Sequence, residues 1–226
     1  MRGINEIING NCLDYMQLKV DIVITDPPYP NYKHFIDGIE DAKRFLSTFN
    51  CDRFMVFWDE MSEPPVQLPC VAKHVWHRTN TNRPDNYEMI YEYHKDGAKR
   101  ASRVLRHPVV YPGLTGCVEA TGHPTQKPVS LIRELLRISG IIKSGGIVLD
   151  PFAGSGTLAV ACQIDRVPFY CIEKEQIFVS DAMRRLSAEK AKLNLFADAT
   201  LKNIDSLQTA YNTPCMPLPQ QGEMDL

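Results

Sequence analysis

The sequence predicts an α/β protein, and three stretches carry that reading. Val20-Asp21-Ile22-Val23-Ile24 is apolar and β-branched, so it reads as a strand buried on both faces. Residues 147–149 read as another strand, followed by a glycine-bearing turn over 150–157 and a small-residue helix over 158–163. Between them, Phe35, Ile36, Ile39, Ala42, Phe45, Leu46 and Phe49 recur at helical spacing.

Taken in order, residues 4–9 suggest a short strand and 13–17 a short helix. The strand over 20–25 ends because Pro27 and Pro28 donate no ladder hydrogen bond and restrict the residues before them. A loop follows, then the helix over 35–49 and a buried strand over 54–58. Pro64, Pro65 and Pro69 mark a loop, 71–77 resumes extended structure, and 87–93 looks like a strand joined to it by a hairpin loop over 78–86. Gly and Pro punctuate 108–122, which reads as loop. Pro128 suits the first turn of a helix over 129–139, with Val129, Ile132, Leu135 and Leu136 on its buried face. Gly145-Gly146 turns the chain into the strand over 147–149. A strand over 169–172 ends in Glu173, and a long helix over 176–195 is supported by Ile177, Met183, Leu186 and Leu193. The proline- and glutamine-bearing tail from Thr213 reads as disordered.

With 226 residues and 44% hydrophobic content, the chain can bury one substantial core. A net charge of -2 means that any nucleic-acid contact uses a local basic patch. The seven cysteines are odd in number and contain no C-x-x-C pair, and several sit in apolar runs, which argues against a disulfide framework or a zinc cluster. No metal is expected. The N-terminus lacks the pattern of a secretory leader, and no stretch approaches a membrane span, so a soluble cytoplasmic protein without membrane contact is expected.

Two constellations bear chemistry. The strand over 20–25 delivers a carboxylate (Asp26), a backbone carbonyl (Pro27) and an aromatic ring (Tyr29) to the carboxyl edge of a sheet, where open α/β sheets bind ligands. By itself Asp26-Pro27-Pro28-Tyr29 serves equally well as a plain turn. In Asp150-Pro151-Phe152-Ala153-Gly154-Ser155-Gly156-Thr157, glycines allow close backbone approach and the helix start offers unpaired N–H groups. Glu173 follows about 20 residues on, where an acid commonly accepts ribose hydroxyls. A structural turn explains a lone Gly-x-Gly about as often. The run lacks the third glycine of a dinucleotide fingerprint and the Lys-Ser/Thr of a phosphate loop, so a cofactor with ribose and no phosphate fits better, which points to S-adenosylmethionine.

With His123-Pro124-Thr125-Gln126-Lys127-Pro128 and Tyr87-Glu88 added, the sequence resembles the amino-group DNA methyltransferases of the beta class, which act on exocyclic amines of adenine or cytosine. The order matters, because the Asp26 motif precedes the Gly154 motif. Related enzymes that methylate protein glutamine carry Asn-Pro-Pro-Tyr after the cofactor motif. The resemblance covers about residues 4–195. It implies a Rossmann-like methyltransferase fold, with a seven-stranded, mostly parallel sheet and helices on both faces. It also implies a single domain over 1–200, a small DNA-contact insertion about 94–121, and a tail over 201–226. The implied catalytic residues are Asp26, Pro27, Pro28 and Tyr29. The implied cofactor site is Asn11, Cys12, Asp26, His123, Thr125, Gln126, Lys127, Asp150, Pro151, Phe152, Ala153, Gly154, Ser155, Gly156, Thr157, Glu173 and Lys174. Asn11 stands where family members usually have Asp.

Such an amine is a poor nucleophile, because its lone pair is delocalised into the ring. Asp26 and the Pro27 carbonyl can accept both amine hydrogens and localise the pair, Tyr29 can stack on the base, and the base must be unpaired or flipped out. For DNA the candidates are Arg78, Arg83, Lys95, Lys99, Arg100, Arg103 and Arg106, although a basic run is more often a solvated face. Asp in the first motif position favours adenine N6. Cytosine N4 is the alternative, and a silent cofactor- or nucleic-acid-binding homologue is a third reading. The partner implied is DNA, with a monomer or homodimer expected and the pairing to a separately acting restriction endonuclease left open.

Overall fold

A computed structural model describes residues 4–28, 38–84, 86–110, 120–121, 123 and 125–212, with side chains through residue 195. The chain runs through β1 (Glu6–Asn9), a 3-10 turn (Cys12–Tyr15), β2 (Ile22–Thr25), α1 (Ile39–Thr48), β3 (Arg53–Trp58), β4 (Cys70–Arg78), β5 (Tyr87–His94) and β6 (Val104–His107). It continues through α2 (Val129–Ile138), α3 (Ile141–Ser144), β7 (Val148–Asp150), α4 (Thr157–Asp165), β8 (Phe169–Glu173) and α5 (Gln176–Asn212). Residues 1–189 form one compact unit, which holds the sheet, and 190–226 separate as a second. Among the described residues, no helix is long and apolar enough to cross a membrane.

The strands pair in the order β1-β8-β7-β2-β3-β5-β4-β6. Every pairing is parallel except those of β5, which runs antiparallel to both β3 and β4. All four residues of β2 and all three of β7 are buried, as strands covered on both faces require. Ile22, Ile24, Met55 and Phe57 point to one face, against Leu131 and Leu135 of α2, Leu158 of α4, and Val179 and Ala182 of α5. Val23, Phe54 and Val56 point to the other, against Phe45 and Leu46 of α1 and Cys12 of the 3-10 turn. This alternation along each strand places helices on both faces.

Four details depart from the sequence reading. The sheet has eight strands rather than seven, because β6 forms inside the basic stretch that belongs to the expected DNA-contact insertion. There Leu105 is buried while Val104 and Arg106 are exposed, a strand alternation too short to stand out among the flanking charges. The short helix α3 between Gly140 (φ 75) and Gly145 (φ 71) was not foreseen. In α5 the core face is Val179, Ala182 and Leu186, whereas Ile177 and Met183 are exposed. Helix α5 also continues through 201–212, which the sequence reading placed in the tail. Phe35 and Ile36, and the tail from Thr213, lie outside the described residues.

Candidate active site

From β7 the chain winds outward to β8, and from β2 it winds the other way to β3. The sheet's winding therefore reverses between β7 and β2, and at such a point the carboxyl ends diverge and leave a crevice. Asp150 ends β7 and Asp26 follows β2, so the two motifs identified in the sequence meet at this reversal. A cavity of about 710 Å³ opens there, within the range of ligand sites. It is lined by Asn11 and Cys12, by residues 26–28, His123, residues 125–127, residues 150–155, Thr157, Glu173 and Lys174. Tyr29 and Pro124 lie outside the described residues.

Among the described residues of the two motifs, Gly156 does not line the cavity. At φ +73, a Cβ on Gly156 would stand 2.6 Å from the Ala182 Cβ, so this glycine lets the start of α4 pack on α5. Gly154 (φ +50) makes room for His123, whose Nε2 would lie 2.8 Å from an added Cβ. The turn's glycines thus serve protein packing, beside whatever approach they allow a ligand.

Several side chains are committed to other protein groups. Lys127, included in the cofactor site, turns its Nζ onto Asp26 Oδ2 and lies 3.1 Å from Glu88 Oε2. It is nearly buried, with its ammonium 5.1 Å from the Phe57 ring centre. Gln126 Oε1 accepts hydrogen bonds from both the backbone N–H and the hydroxyl of Thr121, at 2.9 Å each, and so braces its own loop. Asn11 caps the 3-10 turn through its Oδ1, and its Nδ2 donates to Asp41 Oδ2 at 2.8 Å. Asp41, on α1, therefore places a carboxylate in the cavity lining beside Asn11. Glu173 accepts from the backbone N–H groups of Gly154 and Glu175, at 2.7 and 2.8 Å, which leaves each carboxylate oxygen a further lone pair.

Sequence reasoning missed Asp41, Phe178 and Arg185. The ring of Phe178 packs edge-on against His123 at 4.5 Å, and Arg185 donates to the Ser155 carbonyl and the Ser155 and Thr157 hydroxyls. Helix α5 thus holds both the His123 loop and the glycine turn, and no local pattern in α5 announces that.

Burial sets the electrostatics. It pushes the Asp150 carboxyl up to about 7, against the lowering effect of hydrogen bonds from Thr25 and the Phe152 N–H. Asp26 is pushed up to about 6 by burial, with Lys127 opposing and Glu88 reinforcing the rise. Asp26 Oδ1 is buried and has no hydrogen-bond partner among the described residues. His123 is pushed down to about 4, chiefly by burial and then by Lys127, so it is neutral at pH 7. The Cys12 thiol is pushed up to about 12 by burial, so it is no nucleophile. Acids outnumber bases around the cavity, which suits a cationic ligand, and Phe57, Phe152 and Phe178 supply flat apolar walls.

The basic candidates divide by edge. Because β5 runs antiparallel, its end at His94 registers with Arg53 at the start of β3. Lys95, Lys99 and Arg100 follow it on the edge opposite the cavity. There Lys95 pairs with Asp52 at 3.1 Å, Lys99 donates to the Cys70 carbonyl, and Arg100 lies against Asp96 and Glu92. Arg103 stands beside Val75, midway along β4. Arg78, Arg83 and Arg106 lie toward the cavity edge, since β4 ends at Arg78 and Arg106 registers with His77. Arg78 is engaged with Glu88, whereas Arg83 and Arg106 are exposed.

The two motifs thus meet at a winding reversal of a doubly wound sheet, beside an acid-lined cavity, and comparison with known proteins gives the family. The chain belongs to the DNA methylase family, whose model matches residues 57–184, more than half of the sequence. It is 35% identical over 140 residues to the type II methyltransferase M2.DpnII of Streptococcus pneumoniae, 59% of this chain and 50% of that protein. It is 38% identical over 155 residues to the DNA adenine methyltransferase YhdJ of Escherichia coli K12, 69% of this chain and 44% of that protein. The chain thus spans half or less of these curated relatives. Its fold is similar to that of M1.HpyAVI in complex with SAM (TM-score 0.57, 24% identity, 80% of this chain and 99% of that one). It is also similar to the fold of the cytosine-N4-specific PvuII DNA methyltransferase (TM-score 0.58, 12% identity, 79% of this chain and 85% of that one).

Proposed function

We propose that the chain transfers a methyl group from S-adenosylmethionine to the exocyclic N6 amine of adenine in DNA, with the base swung out of its stack. The observation that carries this reading is Asp26 Oδ1, a buried carboxylate oxygen without a partner among the described residues, followed directly by the Pro27 carbonyl at the winding reversal. A buried acceptor of this kind costs free energy unless a donor reaches it, and an exocyclic amine brings two N–H donors. S-adenosylmethionine supplies an electrophilic methyl on a sulfonium. For that cation the chain offers an acid-lined cavity, the Glu173 carboxylate for ribose hydroxyls, and the Phe152 ring as an apolar wall. Asp26 and Pro27 would orient the amine and localise its lone pair, contributions worth a few kcal/mol each. Adenine is favoured because YhdJ is by name an adenine methyltransferase. For DNA contact, Arg83 and Arg106 on the cavity edge replace the longer basic stretch as the leading candidates.

Incubation with methyl-labelled S-adenosylmethionine and DNA, followed by mass spectrometry of the nucleosides, tests this directly. N6-methyladenine is the expected product. N4-methylcytosine would move the target, and absence of label from DNA and RNA alike would overturn the activity.

A further inference from the structure

We infer that Lys127, itself anchored by Glu88, is a positioning residue that holds the Asp26 carboxylate ionised and aimed into the cavity, ready to take the proton that methyl transfer releases. The inference deepens the methyltransferase reading and rests on it. Its basis is a buried chain of charges from three separate elements. Asp26 follows β2, Glu88 lies on β5, and Lys127 precedes α2, yet the Lys127 ammonium contacts one oxygen of each carboxylate. Arg78, from β4, takes the other oxygen of Glu88, so Glu88 is held from both sides. Phe57 and Trp76 stand 5.1 and 5.9 Å from the ammonium and keep water from that side.

The consequence for Asp26 is asymmetry. Its Oδ2 is occupied by Lys127, whereas its Oδ1 is buried without a partner among the described residues. Lysine at this place turns an equivalent pair of oxygens into one fixed and one available. Burial alone would favour a neutral Asp26, which could accept only weakly and could take no proton. The Lys127 charge opposes that, and the other groups facing Asp26 are Glu88, Arg78 and Asp150. In the transfer, the amine nitrogen's lone pair forms the bond to the methyl carbon while the S–C pair stays on sulfur as a neutral thioether. The nitrogen, now bearing the positive charge, then releases one proton. Asp26 Oδ1 already accepts that N–H, so the proton needs no further movement of the side chain to reach it, and it later passes to solvent.

The test is a titration of the Asp26 carboxyl by 13C NMR in cofactor-free protein, with the resonance assigned by its loss in Asp26→Asn, beside pH profiles of kcat. Lys127→Met should move the carboxyl midpoint upward by about one to three on the pH scale, as loss of a close opposite charge does. Glu88→Gln should move it downward, since a like charge is removed and Lys127 turns wholly to Asp26. The acid limb of kcat should follow each shift in its own direction. Midpoints that stay in place, or that move the same way in both variants, would overturn the inference. If Lys127→Met yields no folded protein, Glu88→Gln decides, because an upward or absent shift there contradicts the role assigned. A wild-type enzyme that methylates no nucleic acid would instead sink the underlying function, and the carboxyl titration would still read the pair.

Discussion

Thr25 Oγ1 donates a 2.7 Å hydrogen bond to Asp150 Oδ1, and this contact joins the ends of β2 and β7 across 125 residues of sequence. The Phe152 N–H donates to the same oxygen at 3.1 Å. Both partners are buried, so the bond fixes the spacing of the two motifs that build the cavity. Thr25→Val keeps the shape and removes the donor. It should lower stability by about 1–3 kcal/mol, the usual cost of leaving a buried polar group short of a partner, as read by urea denaturation.

Asp150 also sets a pH dependence. Its folded value of about 7 lies above the ordinary 3.8, so the native state holds the proton more tightly than the unfolded chain. That contribution is fully present below about pH 4 and is lost as pH rises toward 7. The neutral His123, at about 4 in the fold, acts the opposite way and costs stability as pH falls from about 6.5 to 4. Comparing Asp150→Asn with wild type cancels the histidine. The variant should gain stability over wild type at pH 8 relative to pH 5, in urea melts at the two values.

Removal of the Asp26 carboxylate separates chemistry from binding. Asp26→Ala should reduce methyl transfer by at least about 100-fold, in line with loss of a preorganised electrostatic group. Cofactor affinity, measured by calorimetry, should change far less. Turnover near the wild-type rate would remove Asp26 from the chemistry.

Gly156 and Gly140 make a matched pair, with φ values of +73 and +75. A Cβ on Gly140 meets nothing within 4 Å, whereas one on Gly156 meets Ala182 at 2.6 Å. Gly140→Ala should cost about 1–2 kcal/mol from backbone strain alone. Gly156→Ala should cost clearly more, because α4 and α5 must separate. Thermal melts of the two variants check the difference.

The division of the basic residues by sheet edge predicts a division in DNA binding. Arg83→Ala and Arg106→Ala should each weaken binding and reduce the slope of log K against log salt by about 1. Lys95→Ala and Lys99→Ala, on the opposite edge, should leave that slope unchanged. Fluorescence anisotropy across a salt series reads both arms.

What could be read from the sequence by itself was local. An apolar β-branched run stopped by two prolines forms a buried strand with Asp26 at its end, wherever the rest of the chain goes. A strand, a Gly-Ser-Gly turn and a helix likewise follow from their own residues, and the order of the two motifs pointed to the family. Hairpin 78–86 and helix α2 were legible for the same reason, since turn residues and helical spacing act over one or two turns of chain. Partner choice was not legible. Lys127 and Asp26 are 101 residues apart, and Thr25 and Asp150 are 125 apart, so only the winding of the sheet brings them together. The edge on which a basic residue falls depends on the antiparallel direction of β5, which charge patterning does not encode. Periodicity marks a helix's apolar positions but not the surface they will meet, which is why Val179 and Ala182 of α5, and not Ile177 and Met183, face the core. Local sterics and hydrophobic pattern determined the elements and Asp26; long-range packing decided which charges were buried together, and with them the chemistry Asp26 can perform.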